Sequence, residues 1–150
     1  MQRYLIVVGA QPEKVKLCGR DGKKLIEWIQ ARSGDYDRVI SVVRKDLKYD
    51  NFNKMGDTIA NKDDVQLDYM SHQVIVVPGY DVDCSNFPPN VEYDIVGIST
   101  AASVLCIAMS MFSAGLKIHV LEDRCIDRKG KKTHEAAITI MKAYMPIALE

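Results

Sequence analysis

Residues 91–115 read VEYDIVGISTAASVLCIAMSMFSAG, and the change of pattern inside this stretch decides the fold class. Its first part, Val91 to Ser99, gathers Ile95, Val96 and Ile98 into a short apolar run, the mark of a buried strand. Its second part, Ala101 to Ser113, is rich in small residues and methionine and stops at Ala114-Gly115, where glycine accepts the backbone turn that ends a helix. A buried strand feeding a closely packed helix is half of a βαβ unit.

The same alternation runs outward in both directions. Tyr4 to Val8 is a β-branched, apolar run ending at Gly9, too short and too branched for an amphipathic helix. Asp21 to Arg32 follows with helical spacing, its apolar face carried by Leu25, Ile26 and Ile29. Arg38 to Val43, Val74 to Val77 and Lys117 to Leu121 add three more strand candidates, the second of them stopped by Pro78-Gly79. Thr133 is placed to cap a last helix with apolar face Ala136, Ala137, Ile140, Met141 and Tyr144, ended by Pro146. Between Lys45 and Gln73 the pattern weakens into a polar stretch, read as a loop with one short helix over the open edge of the sheet. Strands alternating with helices predict right-handed crossovers and a three-layer α/β/α arrangement on a parallel sheet, one domain over residues 1–150.

Composition narrows the function. Twenty basic and twenty acidic side chains cancel, and they are scattered, so the footprint of a nucleic-acid polymer or an acidic membrane is missing. The one dense basic run, Lys129 to Lys132, suits a solvated loop. No apolar stretch has bilayer length and no leader pattern follows Met1, so a cytoplasmic location is expected. Cys18, Cys84, Cys106 and Cys125 lack the paired spacings of a zinc or redox site and are expected as reduced thiols.

In parallel sheets ligands collect beyond the carboxyl ends of the strands, which directs attention to Gly9 to Gln11, Val77 to Tyr80, and Gly97 to Ser103. The last segment, Gly97-Ile98-Ser99-Thr100-Ala101-Ala102-Ser103-Val104, is followed by a helix, Gly115 and the strand Ile118 to Leu121. Glu122-Asp123-Arg124-Cys125 and His134-Glu135-Ala136-Ala137 come next. This order resembles the isochorismatase-like cysteine hydrolases, a family that includes the nicotinamidases and reads Gly-hydrophobic-x-Thr-Asp-x-Cys-Val at this turn. The resemblance is best from Val74 to Tyr144 and looser over the first strand and helix.

The resemblance implies the isochorismatase-like fold and a triad of Cys nucleophile, Asp proton acceptor and Lys. Ser103, Gly9 and Val77 stand at those three positions, and Ala101 replaces an acidic residue two before the nucleophile. Serine needs an adjacent base to attack anything at neutral pH, and neither glycine nor valine supplies one. Losing members of a unit that acts together removes most of its catalysis. The resemblance also implies a cis Ile98–Ser99 peptide, with the N–H groups of Ser99 and Ser103 facing a common cavity.

Some members of that family hold a metal after the second strand. Asp46 and Asp50 stand there, but Lys48 takes the place of the expected His, and the histidines are His72, His119 and His134. No metal and no other cofactor are expected. Cys106, Met109 and Met111 read as packing residues, the methionines also as subunit contacts, and His134 as a packing or capping residue at a helix start. Cys84 lies nearer the expected pocket mouth.

The leading expectation is a catalytically inactive protein that binds a small metabolite or nucleotide-derived ligand through Gln11, Tyr80, Ser99, Thr100 and Ser103, as a sensor or a sequestering protein. Its rivals are an amide or ester hydrolase using Ser103, and an interaction protein with a vestigial pocket. The resemblance further implies a homo-oligomer, a dimer or tetramer.

Overall fold

The computed structural model describes residues 1–44, 57–60 and 65–149. Its strands are β1 (Gln2–Val8), β2 (Arg38–Arg44), β3 (Thr58–Ala60), β4 (Gln73–Val77), β5 (Val91–Ile98) and β6 (Lys117–Ile126). Its helices are α1 (Pro12–Leu17), α2 (Gly19–Arg32), α3 (Leu105–Ser113) and α4 (Lys131–Tyr144).

The six strands form one sheet in the order β3-β4-β2-β1-β5-β6. Five run parallel, as the alternation predicted, and β3 pairs antiparallel with β4 at the edge. From β1 the chain goes first to β2 and β4 on one side, then to β5 and β6 on the other. The strand order therefore reverses between β1 and β5, and their carboxyl ends bound the crevice where such sheets bind ligands.

Both faces of the sheet are covered. Leu5 and Val7 of β1 pack with Leu25, Ile26 and Ile29 of α2 on one side. Ile6 and Val8 point the other way, toward Ile107 and Met111 of α3 and Met141 of α4. Consecutive residues of one strand thus serve two cores, which is why β1 is apolar without alternation from Tyr4 to Val8. Within β5, Asp94 is buried and accepts hydrogen bonds from Arg3 Nη2 at 2.7 Å and Tyr36 Oη at 2.6 Å. This carboxylate ties β5, β1 and the approach to β2 together.

Several sequence expectations shift. A separate helix, α1, precedes α2, and Gly19 with φ 59° marks the break between them. α3 begins at Leu105, because Thr100–Val104 is wound as a wider π turn. α4 starts at Lys131 with Gly130 at its N-cap, so Thr133 lies inside the first turn and caps nothing. Its buried face is Ala137, Ile138 and Met141, whereas Ala136 is exposed and Ile140 and Tyr144 are 42% and 73% exposed. Packing against the Thr100–Val104 turn together with β6 and α3 sets that rotation, and helical spacing alone fits both faces.

β6 is longer than expected because it bulges: Ile95 pairs with Val120, but Gly97 pairs with Cys125. In the Lys45 to Gln73 stretch, the described residues hold an edge strand, Thr58–Ala60, and no helix. Asp46, Lys48 and Asp50 lie outside the described residues.

Candidate functional site

The carboxyl ends of β1 and β5 meet closely. Val8 is in register with Gly97, and the N–H of Gly9 donates to Val42 O at 2.8 Å. Gly9 has φ 61°, and a Cβ on it would lie 2.2 Å from the carbonyl oxygen of Ile98. Gly97 is equally constrained, since a Cβ there would meet Val8 O at 2.0 Å. The Ile98–Ser99 peptide is cis, as the resemblance implied. The Thr100–Val104 turn follows, with the N–H groups of Ala102 and Val104 both donating to Ser99 O at 3.1 and 3.2 Å. Single π turns of this kind are frequent at functional sites.

Three residues from the β6–α4 region hold the turn in place. Asp127 is buried; its Oδ2 accepts the N–H of Ala101 at 2.8 Å and its Oδ1 accepts the N–H of Lys129 at 2.8 Å. The N–H of Arg128 donates to Ser99 Oγ at 3.3 Å. His134 Nδ1 and Thr100 Oγ1 share a hydrogen bond of 2.7 Å. Sequence reasoning gave Asp127 no role. Two signals could have found it: Ala101 leaves the start of the helical turn without its acidic partner, and Asp-Arg-Lys-Gly from 127 to 130 is a turn sequence whose first residue can bond main-chain N–H groups.

The structure brings the expected ligand residues to one end of the sheet but gives several of them internal partners. Gln11 donates through Nε2 to Arg44 O at 3.1 Å and accepts the N–H of Arg44 at 3.3 Å, so its amide extends the β1–β2 ladder. Thr100 is committed to His134 and Ser99 Oγ to Arg128. Ser103 is 9% exposed, and Val77 is buried among core side chains. Tyr80 is the open one, 44% exposed, with the Arg44 guanidinium 4.3 Å from its ring centre. Its ring borders a cavity of about 360 Å³ shared with Pro78, Asp57, Asp81 and Asp83.

The thiols are not activated. Burial raises the pKa of Cys84, and Asp81, Asp83 and Asp57 raise it further; burial likewise raises those of Cys18 and Cys106. Burial pushes the Cys125 thiol up to about 12. Among the described residues no group of three His, Cys, Asp or Glu side chains could hold a metal ion. No helix of the described residues is long and apolar enough to cross a membrane.

Solved structures of other proteins share this architecture over most of their length. The nicotinamidase of Staphylococcus aureus superposes with a TM-score of 0.70 at 21% identity, covering 100% of this chain and 98% of that one. The chain has the isochorismatase-like hydrolase fold. An isochorismatase-like hydrolase from Alkaliphilus metalliredigens matches with a TM-score of 0.71 at 10% identity over 100% and 94% of the two chains. The pyrazinamidase/nicotinamidase of Streptococcus mutans matches at 0.71 with 12% identity over 99% of each. Neither a protein-family model nor a curated protein matches the sequence. On this isochorismatase-like fold, Gly9, Val77 and Ser103 are the residues at the ends of β1 and β4 and in the turn after β5.

Proposed function

We propose that this chain is a non-catalytic protein of the isochorismatase-like fold that holds a small metabolite or nucleotide-derived molecule at the carboxyl end of its sheet. The observation that carries the reading is Gly9. Where a proton acceptor would have to stand, the backbone leaves no room for any side chain, because a Cβ would lie 2.2 Å from a main-chain oxygen.

The surroundings agree with this. Val77 brings no charge, and Ser103 has no carboxylate, imidazole or amine bonded to it among the described residues. A serine in that position stays protonated and unreactive. The exposed Tyr80 ring, with Arg44 over it, offers a flat surface on which a planar group can stack. A protein that holds such a molecule without consuming it suits sensing or sequestration. α3 carries no charged residue from Leu105 to Ser113, which suits close packing against a second copy.

Two measurements test the reading. Ammonia release from nicotinamide and a panel of simple amides should be absent in the unmodified protein and in Ser103→Cys, since nothing at position 9 or 77 would deprotonate a thiol whose ordinary pKa is ~8.5. Turnover that disappears in Ser103→Ala would refute the proposal in favour of a serine hydrolase. Mass spectrometry of small molecules released on denaturing the purified protein should find a retained metabolite, and a protein that carries none and binds none would leave only an interaction role.

A further inference from the structure

A cleft of about 600 Å³ lies on the other flank of the Thr100–Val104 turn, between α2, the carboxyl end of β6 and the first turn of α4. Its volume falls inside the ~300–1,000 Å³ range of small-molecule sites. Leu25 and Ile126 contribute apolar wall, and Lys24, Arg124, Arg128 and Lys131 bring four cations to its lining.

Four carboxylates, Asp21, Glu122, Asp123 and Asp127, stand in the lining against the four cations, but among the described residues the two sets are not paired with each other. Of the carboxylates in the lining, Asp127 already accepts two main-chain N–H groups, and Glu122 faces Lys142 at 3.5 Å. Asp21 and Asp123 are the remaining two. On the other side of the account, Lys24, Arg124 and Arg128 form no ion pair among the described residues, and Lys131 reaches Glu135 only at 4.0 Å. Arg124 is oriented by Trp28, whose ring centre lies 5.4 Å from its guanidinium carbon. The Cys18 thiol in the cleft wall feels Arg128 together with Asp21 and Asp127, so charges of both signs share that wall.

We infer that this cleft binds a phosphorylated small molecule, with Lys24, Arg124 and Arg128 on the phosphates and the Leu25–Ile126 wall against the rest of the ligand. Guanidinium groups match phosphate oxygens with paired hydrogen bonds, and uncommitted cations beside an apolar wall recognise a molecule that is charged at one end only. The site is separate from the crevice at Tyr80 and goes beyond the reading above. It also touches the turn. Asp127, Arg128 and His134 line the cleft and bond Ala101, Ser99 and Thr100, so an anion that draws on Arg128 bears directly on the segment carrying Ser103.

Isothermal titration of the full chain with inorganic pyrophosphate and with ADP tests the inference. Both should bind, more weakly as salt is raised, and ADP should bind the tighter of the two because it also uses the apolar wall. The double variant Lys24→Gln/Arg128→Gln should lose about tenfold or more in affinity, because each substitution removes a charge-assisted contact. Both side chains are exposed, and an unchanged melting temperature will confirm that the variant folds. On titration the amide resonances of Ala101 and Lys129 should shift. Absence of binding at millimolar pyrophosphate and ADP, or equal affinity in the double variant, overturns the proposal. Binding lost in Tyr80→Ala instead would put the anion in the crevice; the cleft would then be refuted while the non-catalytic reading stands.

Discussion

Replacing Gly9 by alanine measures how firmly the fold forbids a side chain at the end of β1, the observation on which the proposed loss of catalysis rests. Gly9 and Gly19 have nearly the same backbone, φ 61° and 59°, but a Cβ at Gly9 would lie 2.2 Å from Ile98 O whereas one at Gly19 would meet nothing within 4 Å. The left-handed conformation costs an L-residue about 1–2 kcal/mol and is common to both substitutions. Only Gly9→Ala adds overpacking, about 1–3 kcal/mol more, and the obstacle is a main-chain atom that no rotamer change can move aside. Gly9→Ala should therefore cost about 2–5 kcal/mol and Gly19→Ala about 1–2 kcal/mol. Equilibrium unfolding in guanidinium, followed by the fluorescence of Trp28, the single tryptophan, gives both values. Costs equal to within about 0.5 kcal/mol would show that β1 and β5 part easily at this point. Position 9 would then have room for a proton acceptor.

Two further outcomes follow from the residues around the turn and the core. Asp127→Ala removes the acceptor of two main-chain N–H groups beside the Thr100–Val104 turn. It should cost about 1–3 kcal/mol and speed hydrogen exchange at Ala101 and Lys129, and a loss below about 0.5 kcal/mol would mean that the turn holds itself. Cys125, pushed up to about 12 by burial, keeps its proton in the folded state while an unfolded cysteine loses it above ~8.5. Its contribution is complete below pH ~8.5 and declines as pH rises toward 12, by up to about 1.4 kcal/mol per pH unit. Urea unfolding with reductant between pH 9 and 10 should show a shallower pH slope in Cys125→Ala, and an identical slope would contradict the burial of this thiol.

The strands were legible because a strand covered on both faces is largely apolar, and short runs such as Tyr4 to Val8 and the Ile95, Val96 and Ile98 group can be little else. The small-residue helix after Gly97, and the position of the crevice, followed from the same pattern. What misled was spacing on exposed elements. Ile140 and Tyr144 fit a helical stripe as well as Ile138 does, and the bulge in β6 leaves no mark that period counting detects.

The sequence by itself determined the layers and the parallel strands, and it puts Ser103, Gly9 and Val77 at the positions where the resemblance implies a nucleophile, a base and a cation. These depend on residue identity and local pattern, which the chain carries wherever it goes. Tertiary structure alone decided that Gly9 has no space for a side chain, that Gln11 and Thr100 have internal partners, and that Asp127 secures the turn. It alone gathered Lys24, Arg124 and Arg128 around one cleft. Each of these rests on contacts between residues tens of positions apart, whose distances are set only when both sides of the sheet have packed.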